Sequence, residues 1–401
     1  MRSPEKLDDE NIMDFHNDRI GCNEGYPSLP DTVSQDIPEL YSNDVSEIRL
    51  FELDGSVTVS ETESLQALEL ASFNLSIDIP ENVVLGLMTN VGSLNDLFSY
   101  ALVNKQFYYI YKRHELSLMK NALFRMSPAA WELREISPPW GNDWYGLEDP
   151  DIPVPEYTPT TYLRNYSQDV YALVELKSLV IFYCGSFLRR ETIDGLAGTD
   201  PIRAAEVDAA IWRICVFCRI FGSGKGREAN LSHQIDWLNG GGLARKQGHG
   251  ATILGDSYFT DMSVLFDPPA GFGAANEGSL TVRQLCDLSE LWNCFGVLLL
   301  EKVRGKHMEA QEAGVFCNLD ITNHKEESML EEWAYYVLTF GPSVLLRLIS
   351  AYPNNTASSL FANAEQMRLT QWDPPEAGTS RWKFIREAIS RTLSNKVHNF
   401  N

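Results

Sequence analysis

A chain of 401 residues with 44% hydrophobic content carries 55 acidic against 33 basic residues, a formal net charge of -22. Phosphate backbones are gripped by clustered Lys and Arg, and anionic lipid surfaces attract polybasic segments, so this balance argues against nucleic acid and membrane as partners. The length suggests two to three domains, and the apolar fraction is enough for a sizeable core.

The opening MRSPEKLDDE is acidic and lacks an apolar run, unlike a signal or transit peptide. Residues 1–78 hold eighteen Asp and Glu against Arg2, Lys6, Arg19 and Arg49. That composition predicts an acidic, largely disordered N-terminal region over 1–76. Two local exceptions are expected: a hairpin around Asp54-Gly55 and a short helix over 63–73. The seven cysteines are odd in number and sit mostly in apolar runs, which is intracellular usage. The longest apolar runs fall short of the ~20 residues a spanning helix needs. The expected location is cytoplasmic or nuclear.

The most informative stretch is 79–118. Ile79-Pro80-Glu81 opens a short helix, because a proline at the first helical position lacks only an N–H that would be unpaired anyway. Val83, Val84, Leu87, Met88 and Val91 recur at helical spacing, and Gly92 stops the run. Ser93 with Asp96 three residues on starts a second helix as a capping-box variant. Leu94, Leu97, Phe98, Ala101 and Leu102 give it a one-sided apolar stripe. Val103, Phe107, Ile110 and Tyr111 continue as a third apolar face. Some forty residues of this kind bury too little to fold alone, so the surplus apolar surface must meet the rest of the chain or a second protein.

Ile79-Pro80-Glu81, Leu94-Asn95-Asp96-Leu97 and Leu102-Val103-Asn104-Lys105-Gln106-Phe107 together resemble an F-box, the helical module that docks onto the Skp-type adaptor of cullin ubiquitin ligases. Ile79 stands where Leu is usual, a nearly volume-neutral exchange. Gly86 inside the first helix costs about 1 kcal/mol relative to Ala. The likeness implies adaptor binding through Ile79, Pro80, Val84, Leu87, Leu94, Leu97, Val103 and Phe107. Leu97, Ala101 and Val103 are expected to hold the three helices together.

Past the module, 119–136 reads as a helical extension, with Ser127-Pro128 capping a helix that carries Trp131. Residues 137–161 are rich in Pro and acidic residues and read as an extended linker, with Trp140, Trp144 and Tyr145 packing on a neighbouring surface. Residues 162–401 alternate helix and breaker: 168–190, Asp200-Pro201 capping 202–221, 227–238, a Gly-rich irregular stretch over 240–279, and Thr281 capping 282–303. Further helices are expected near 326–339, 343–351 and 381–392. No repeat of 20 to 50 residues is present. The expected fold is all-α: a three-helix F-box module over 77–118, then an irregular, mostly helical C-terminal domain. Phe221-Gly-Ser-Gly-Lys-Gly-Arg227, Ser127-Pro-Ala-Ala-Trp-Glu-Leu-Arg134 and Trp372 with Ser380-Arg381 resemble a group of filamentous-fungal F-box proteins, a likeness extending over roughly 79–395. For that group it implies a helical region of no assigned chemistry.

Several short patterns invite chemistry and fall short of it. Gly222-Ser-Gly-Lys-Gly226 lacks the strand before it and the Ser/Thr of a phosphate loop. Cys215-Val-Phe-Cys218 lies within an apolar helical run without a second ligand pair, so core thiols are expected. His233 and His249 lack metal-ligand spacing, and no nucleophile elbow or kinase signature occurs. Glu331 and Glu332 read as a solvated face beside a buried Trp333. Neither an enzyme nor a cofactor is expected. The resemblance implies a substrate receptor that joins a Skp-type adaptor, and through it a cullin ligase, to a client protein. The alternative is an adaptor-binding scaffold or regulator acting outside ubiquitin transfer.

Overall fold

Residues 79–137, 139, 156–241, 271–316, 326–350, 357–375 and 379–398 are described in a computed structural model of the chain. They form fourteen α-helices and three short 3₁₀ turns, with no strand among them. The expected hairpin near Asp54, the helix over 63–73 and the three aromatics Trp140, Trp144 and Tyr145 lie outside the described residues.

Helix α1 spans Glu81–Thr89, α2 Leu94–Ala101 and α3 Lys105–Met126. Pro80 precedes α1 as its N-cap with extended ψ, so the helix starts one residue later than the proline pattern suggests. Ser93 caps α2 by accepting from the Asp96 amide at 3.1 Å, and its hydroxyl donates to the Asp96 carboxylate at 2.8 Å. Asn104 caps α3 through the Phe107 amide at 3.0 Å. Thus α3 begins after Val103, and it runs on through residue 118 to Met126 with one departure from helical geometry at His114. Ser127 accepts from the Ala130 amide and starts α4, Pro128–Glu135, as the Ser-Pro pair predicts.

The rest of the chain supplies α5 (Pro159–Cys184), α6 (Arg190–Leu196), α7 (Pro201–Phe221), α8 (Leu231–Leu238) and α9 (Val282–Val303). After them come α10 (His307–Glu312), α11 (Glu326–Leu338), α12 (Pro342–Ser350), α13 (Ala357–Gln366) and α14 (Arg386–His398). Helix α5 starts nine residues before the expected position, because Thr158 and Thr161 form a reciprocal capping box with Pro159 at the first turn. The last residues of the expected linker are therefore helical. Asp200 caps α7 and Thr281 caps α9, both as the sequence indicates. Helices α10 and α13 were not expected; they are short and carry little periodicity.

Helix α7 is the centre of the body, packed against α4, α6 and α9, while α9 also meets α5 and α11. Its residues Val207, Ile211, Ile214, Val216 and Phe217 are sealed from solvent. Phe217 meets Phe221, Trp237 and Phe384 edge-on or tilted, with ring centroids 4.9 to 5.7 Å apart. Such aromatic pairs each add about 0.5–1.5 kcal/mol beyond burial. Within the expected irregular stretch, residues 271–281 are tied to this core. Asn276 is buried, accepts from Arg213 Nε at 3.0 Å and donates to the Trp237 carbonyl at 2.9 Å.

A buried ionic network fixes α6, α7 and α9 together. Arg203 of α7 bonds both carboxylate oxygens of Asp287 at 2.7 and 2.5 Å, and Arg189 reaches the same carboxylate at 2.6 Å. Arg189 also bonds Glu290 through its amide at 2.7 Å and its Nε at 2.9 Å. The carboxylates beside them push the Arg203 guanidinium further above its ordinary value. Removing one member strands a charge in the interior. The change Asp287→Ala is expected to lower unfolding free energy by about 3–5 kcal/mol in urea titrations; a loss below about 1 kcal/mol would show the pair to be solvated.

Candidate functional site

The module predicted at 79–118 is built on one face of α3. On the inner side of α1, Val84, Met88 and Val91 fall at i, i+4 and i+7 and are buried. They meet α3, as do Leu94, Leu97 and Ala101 of α2. From α3 itself come Phe107, Ile110 and Tyr111, with Phe98 edge-on to Tyr111 at 6.2 Å. Burial pushes the Tyr111 hydroxyl well above its ordinary value, and the hydroxyl donates to Glu115 at 3.1 Å.

Polar bonds set the alignment of α1 along α3. Gln106 Nε2 donates to the Ile79 carbonyl at 2.6 Å, Arg113 bonds Glu81 at 2.6 Å, and Asn121 donates to the Thr89 carbonyl at 2.5 Å. The two helices therefore run parallel, with the start of α1 beside the first turn of α3.

The outer side of the same module is apolar as well. Pro80, Val83 and Leu87 recur at i, i+3 and i+7 on α1 and are exposed. At the α2–α3 turn, Leu102 is 71% and Val103 63% exposed, with Tyr100 beside them. Tyr109 is 65% exposed and lies one turn beyond Gln106 on α3. The Gln106–Ile79 bond brings Pro80 toward the α2–α3 turn, since Pro80 follows Ile79 and Val103 precedes Gln106 by three residues, while Leu87 lies two turns further along α1 toward the Thr89–Asn121 bond. Among the described residues, helices α1 and α2 make their extensive contacts with α3.

Of the eight residues taken from the resemblance, Pro80, Leu87 and Val103 are exposed and Ile79 is half-buried at the module's edge. Val84, Leu94, Leu97 and Phe107 are buried in the module's own core, so in this conformation they shape the surface from beneath. Val103 was expected to hold the helices together and instead faces solvent. The reason is local: Asn104 is the N-cap of α3, so Val103 sits in the turn before the helix, outside the periodic stripe. Val83 and Leu102 were read as parts of their helices' apolar stripes rather than as docking residues, and Tyr109 was not singled out; all three are exposed. The Asn104 cap and the Pro80–Val83–Leu87 spacing were the sequence signals that would have found them.

The remaining motifs are structural. Ser223–Lys225 form a single 3₁₀ turn, and Gly226 takes a left-handed φ of 61°. Gly222 is required by close approach: a Cβ there would lie 2.1 Å from the Thr339 carbonyl oxygen. Ser223 bonds Glu228 and Thr339, Glu228 accepts from Arg381 Nε at 2.8 Å, and Glu332 holds Ser380 and the Arg381 amide. Glu332 is thus a tie to the C-terminal segment rather than a solvated face. The Arg381 guanidinium lies 5.2 Å from the Tyr336 ring centroid and 5.7 Å from that of Trp372. The glycine turn and the Trp372 to Arg381 segment, far apart in sequence, are therefore one clasp.

Cys218 is buried and Cys215 half-buried mid-way along α7, and burial pushes the Cys215 thiol up to about 12. His233 is held by Asn230 at 2.5 Å, and burial lowers its pKa; His249 lies outside the described residues. Among the described residues, no group of three His, Cys, Asp or Glu side chains is placed to hold a metal ion. None of the described helices is long and apolar enough to cross a membrane. No family model matches the chain, and no curated protein or solved structure matches it.

The division between core and outer face is measurable. Leu97→Ala is expected to cost about 2–5 kcal/mol in urea unfolding, whereas Leu102→Ser and Val103→Ser should each stay within about 0.5 kcal/mol. Equal losses at all three positions would place Leu102 and Val103 in the core. A second prediction concerns Lys225, whose pKa is lowered to about 7 by burial and then by Arg219 and Arg227. The folded chain binds fewer protons here than the unfolded one between about pH 7 and 10, so this group makes stability rise with pH across that window. Lys225→Met should flatten the rise, seen as a smaller change in urea midpoint between pH 7 and 9 than in the parent chain.

Proposed function

We propose that the chain is a substrate-receptor subunit of a Skp–cullin–F-box ubiquitin ligase, docking on the adaptor through the α1–α3 module. The observation that carries this reading is the outer face: Pro80, Val83, Leu87, Leu102, Val103 and Tyr109 are exposed on a module whose first two helices, among the described residues, make their extensive contacts with α3. Burying one Leu- or Phe-sized side chain contributes about 1.5–3 kcal/mol, so several together exceed the cost of association. Isolated exposed apolar residues are ordinary on protein surfaces, but several on one small module favour an interaction site. The resemblance of 79–107 to the F-box pattern supports a Skp-type adaptor as the partner.

Function then follows from position rather than from chemistry in this chain. The α1–α3 module holds the chain on the adaptor, and the helices after α4 present a client near the ligase's charged conjugating enzyme. That raises the effective concentration of the client's lysines. Because α3 continues into α4 and α4 packs on α7, the module and the presenting body form a continuous helical path.

The test is co-elution of the full chain with a Skp-type adaptor on size exclusion. Leu102→Asp with Val103→Asp should abolish it while circular dichroism and urea midpoint stay those of the parent. Undiminished co-elution of that folded variant would refute the docking face. Recovery of a cullin with the intact chain, and its loss with the variant, distinguishes ligase assembly from a scaffold that binds the adaptor alone.

A further inference from the structure

Two thiols from separate helices meet in the interior, outside the docking module. Cys184 is the last residue of α5 and Cys294 lies mid-way along α9; both side chains are sealed from solvent. The Cys184 Sγ lies 3.8 Å from the Cys294 carbonyl oxygen, and the two thiol groups are in hydrogen-bonding contact with each other. The same two helices are tied at the neighbouring residue. There Lys302 Nζ of α9 donates to the Tyr183 hydroxyl at 3.2 Å and sits 5.2 Å from that ring's centroid.

A lone buried cysteine behaves as a small hydrophobe. A pair in contact differs, because one thiol donates to the other's sulfur. That donation holds the Cys184 pKa below its ordinary value, while the same bond and burial push the Cys294 thiol up. The pair therefore releases its first proton more readily than its second, and the thiolate so formed is the form that reacts with peroxides. Cys215 and Cys218 on α7 are in the opposite situation, since burial pushes both thiols up.

Access follows from where Cys184 sits. It closes the last turn of α5, Gly185 follows as the C-cap, and Phe182, Tyr183, Ser186 and Phe187 around it are exposed. Helix ends fray, and local opening of that one turn brings the sulfur to solvent at far lower cost than global unfolding.

We propose that Cys184 and Cys294 are a peroxide-sensitive pair that closes into a disulfide and fastens the end of α5 to α9. In the first step the Cys184 thiolate attacks one oxygen of hydrogen peroxide. The S–O bond forms, the O–O bond breaks, and the departing hydroxide takes up a proton and leaves as water. In the second step the Cys294 sulfur attacks the sulfenic sulfur of Cys184. The S–S bond forms, the S–O bond breaks, and hydroxide leaves with the Cys294 proton as a second water. Two thiols and one peroxide become one disulfide and two waters, the sulfurs losing two electrons in all. The new bond joins residues 110 apart in sequence and holds the exposed rings of Phe182, Tyr183 and Phe187 against the body. This inference stands apart from the ligase reading.

Peptide mapping of the full chain by mass spectrometry, without reduction and after a stoichiometric dose of hydrogen peroxide, tests it. The expected product is a peptide pair joined through Cys184 and Cys294, with Cys215 and Cys218 still reduced. Closing so long a loop should raise the thermal midpoint by about 5 °C or more, and dithiothreitol should return it to its starting value. In Cys294→Ser, which removes the resolving sulfur, Cys184 should go on to sulfinic acid and the midpoint should not rise. The map of the parent chain decides without that variant. Separate oxidation of Cys184 and Cys294, no reaction at either under excess peroxide, or a cross-link that leaves the midpoint unchanged would each overturn the proposal.

Discussion

Everything in the molecule depends on α3 joining the α1–α2 pair to the body. It buries Phe107, Ile110 and Tyr111 in its first turns and Leu118, Met119, Ala122 and Leu123 in its last, and along its length it meets α1, α2, α4 and α5. A 22-residue helix spans about 33 Å, enough to carry both sets on one rod. The departure from helical geometry at His114 falls between them. Because α1 and α2 are nine and eight residues long, each can bury one face only, and α3 takes it. Among the described residues their outer faces stay exposed.

Stiffness in the body follows from two devices that differ in kind. The Arg203–Asp287–Arg189 network ties α6, α7 and α9 through charges withdrawn from water, a geometry costly to break by halves. The clasp of Gly222, Ser223, Glu228, Glu332 and Arg381 joins segments more than 150 residues apart in sequence. Rings on Tyr336 and Trp372 flank the Arg381 guanidinium there. The first holds α7 against α6 and α9, and the second ties the end of α7 to the end of α11 and the C-terminal segment. A receptor that must present a client at fixed distance benefits from such rigidity, since flexibility dilutes effective concentration.

The sequence was most legible where local chemistry acts alone. Ser93, Ser127, Asp200 and Thr281 each mark a helix start in the sequence and each caps one in the structure. Legibility failed where two readings of one residue compete. Val103 fits a helical stripe, but Asn104 is a better cap, and the cap decides the helix start. Leu94 and Phe107 are apolar in either reading, and spacing cannot say whether an apolar residue meets its own chain or another. Glu332 looks solvated because its partners, Ser380 and Arg381, are distant in sequence.

The proposed docking needs the apolar outer face of α1–α3 to be open in the free chain and covered once a Skp-type adaptor binds. Hydroxyl-radical footprinting of the full chain, alone and with a Skp-type adaptor, reads that directly at single side chains. The account predicts fast oxidation of Leu87, Leu102 and Tyr109 in the free chain, strong protection of all three on adaptor addition, and unchanged rates at Phe182 and Ile202, exposed elsewhere on the body. Slow oxidation of the three in the free chain, or rates indifferent to the adaptor, would contradict it.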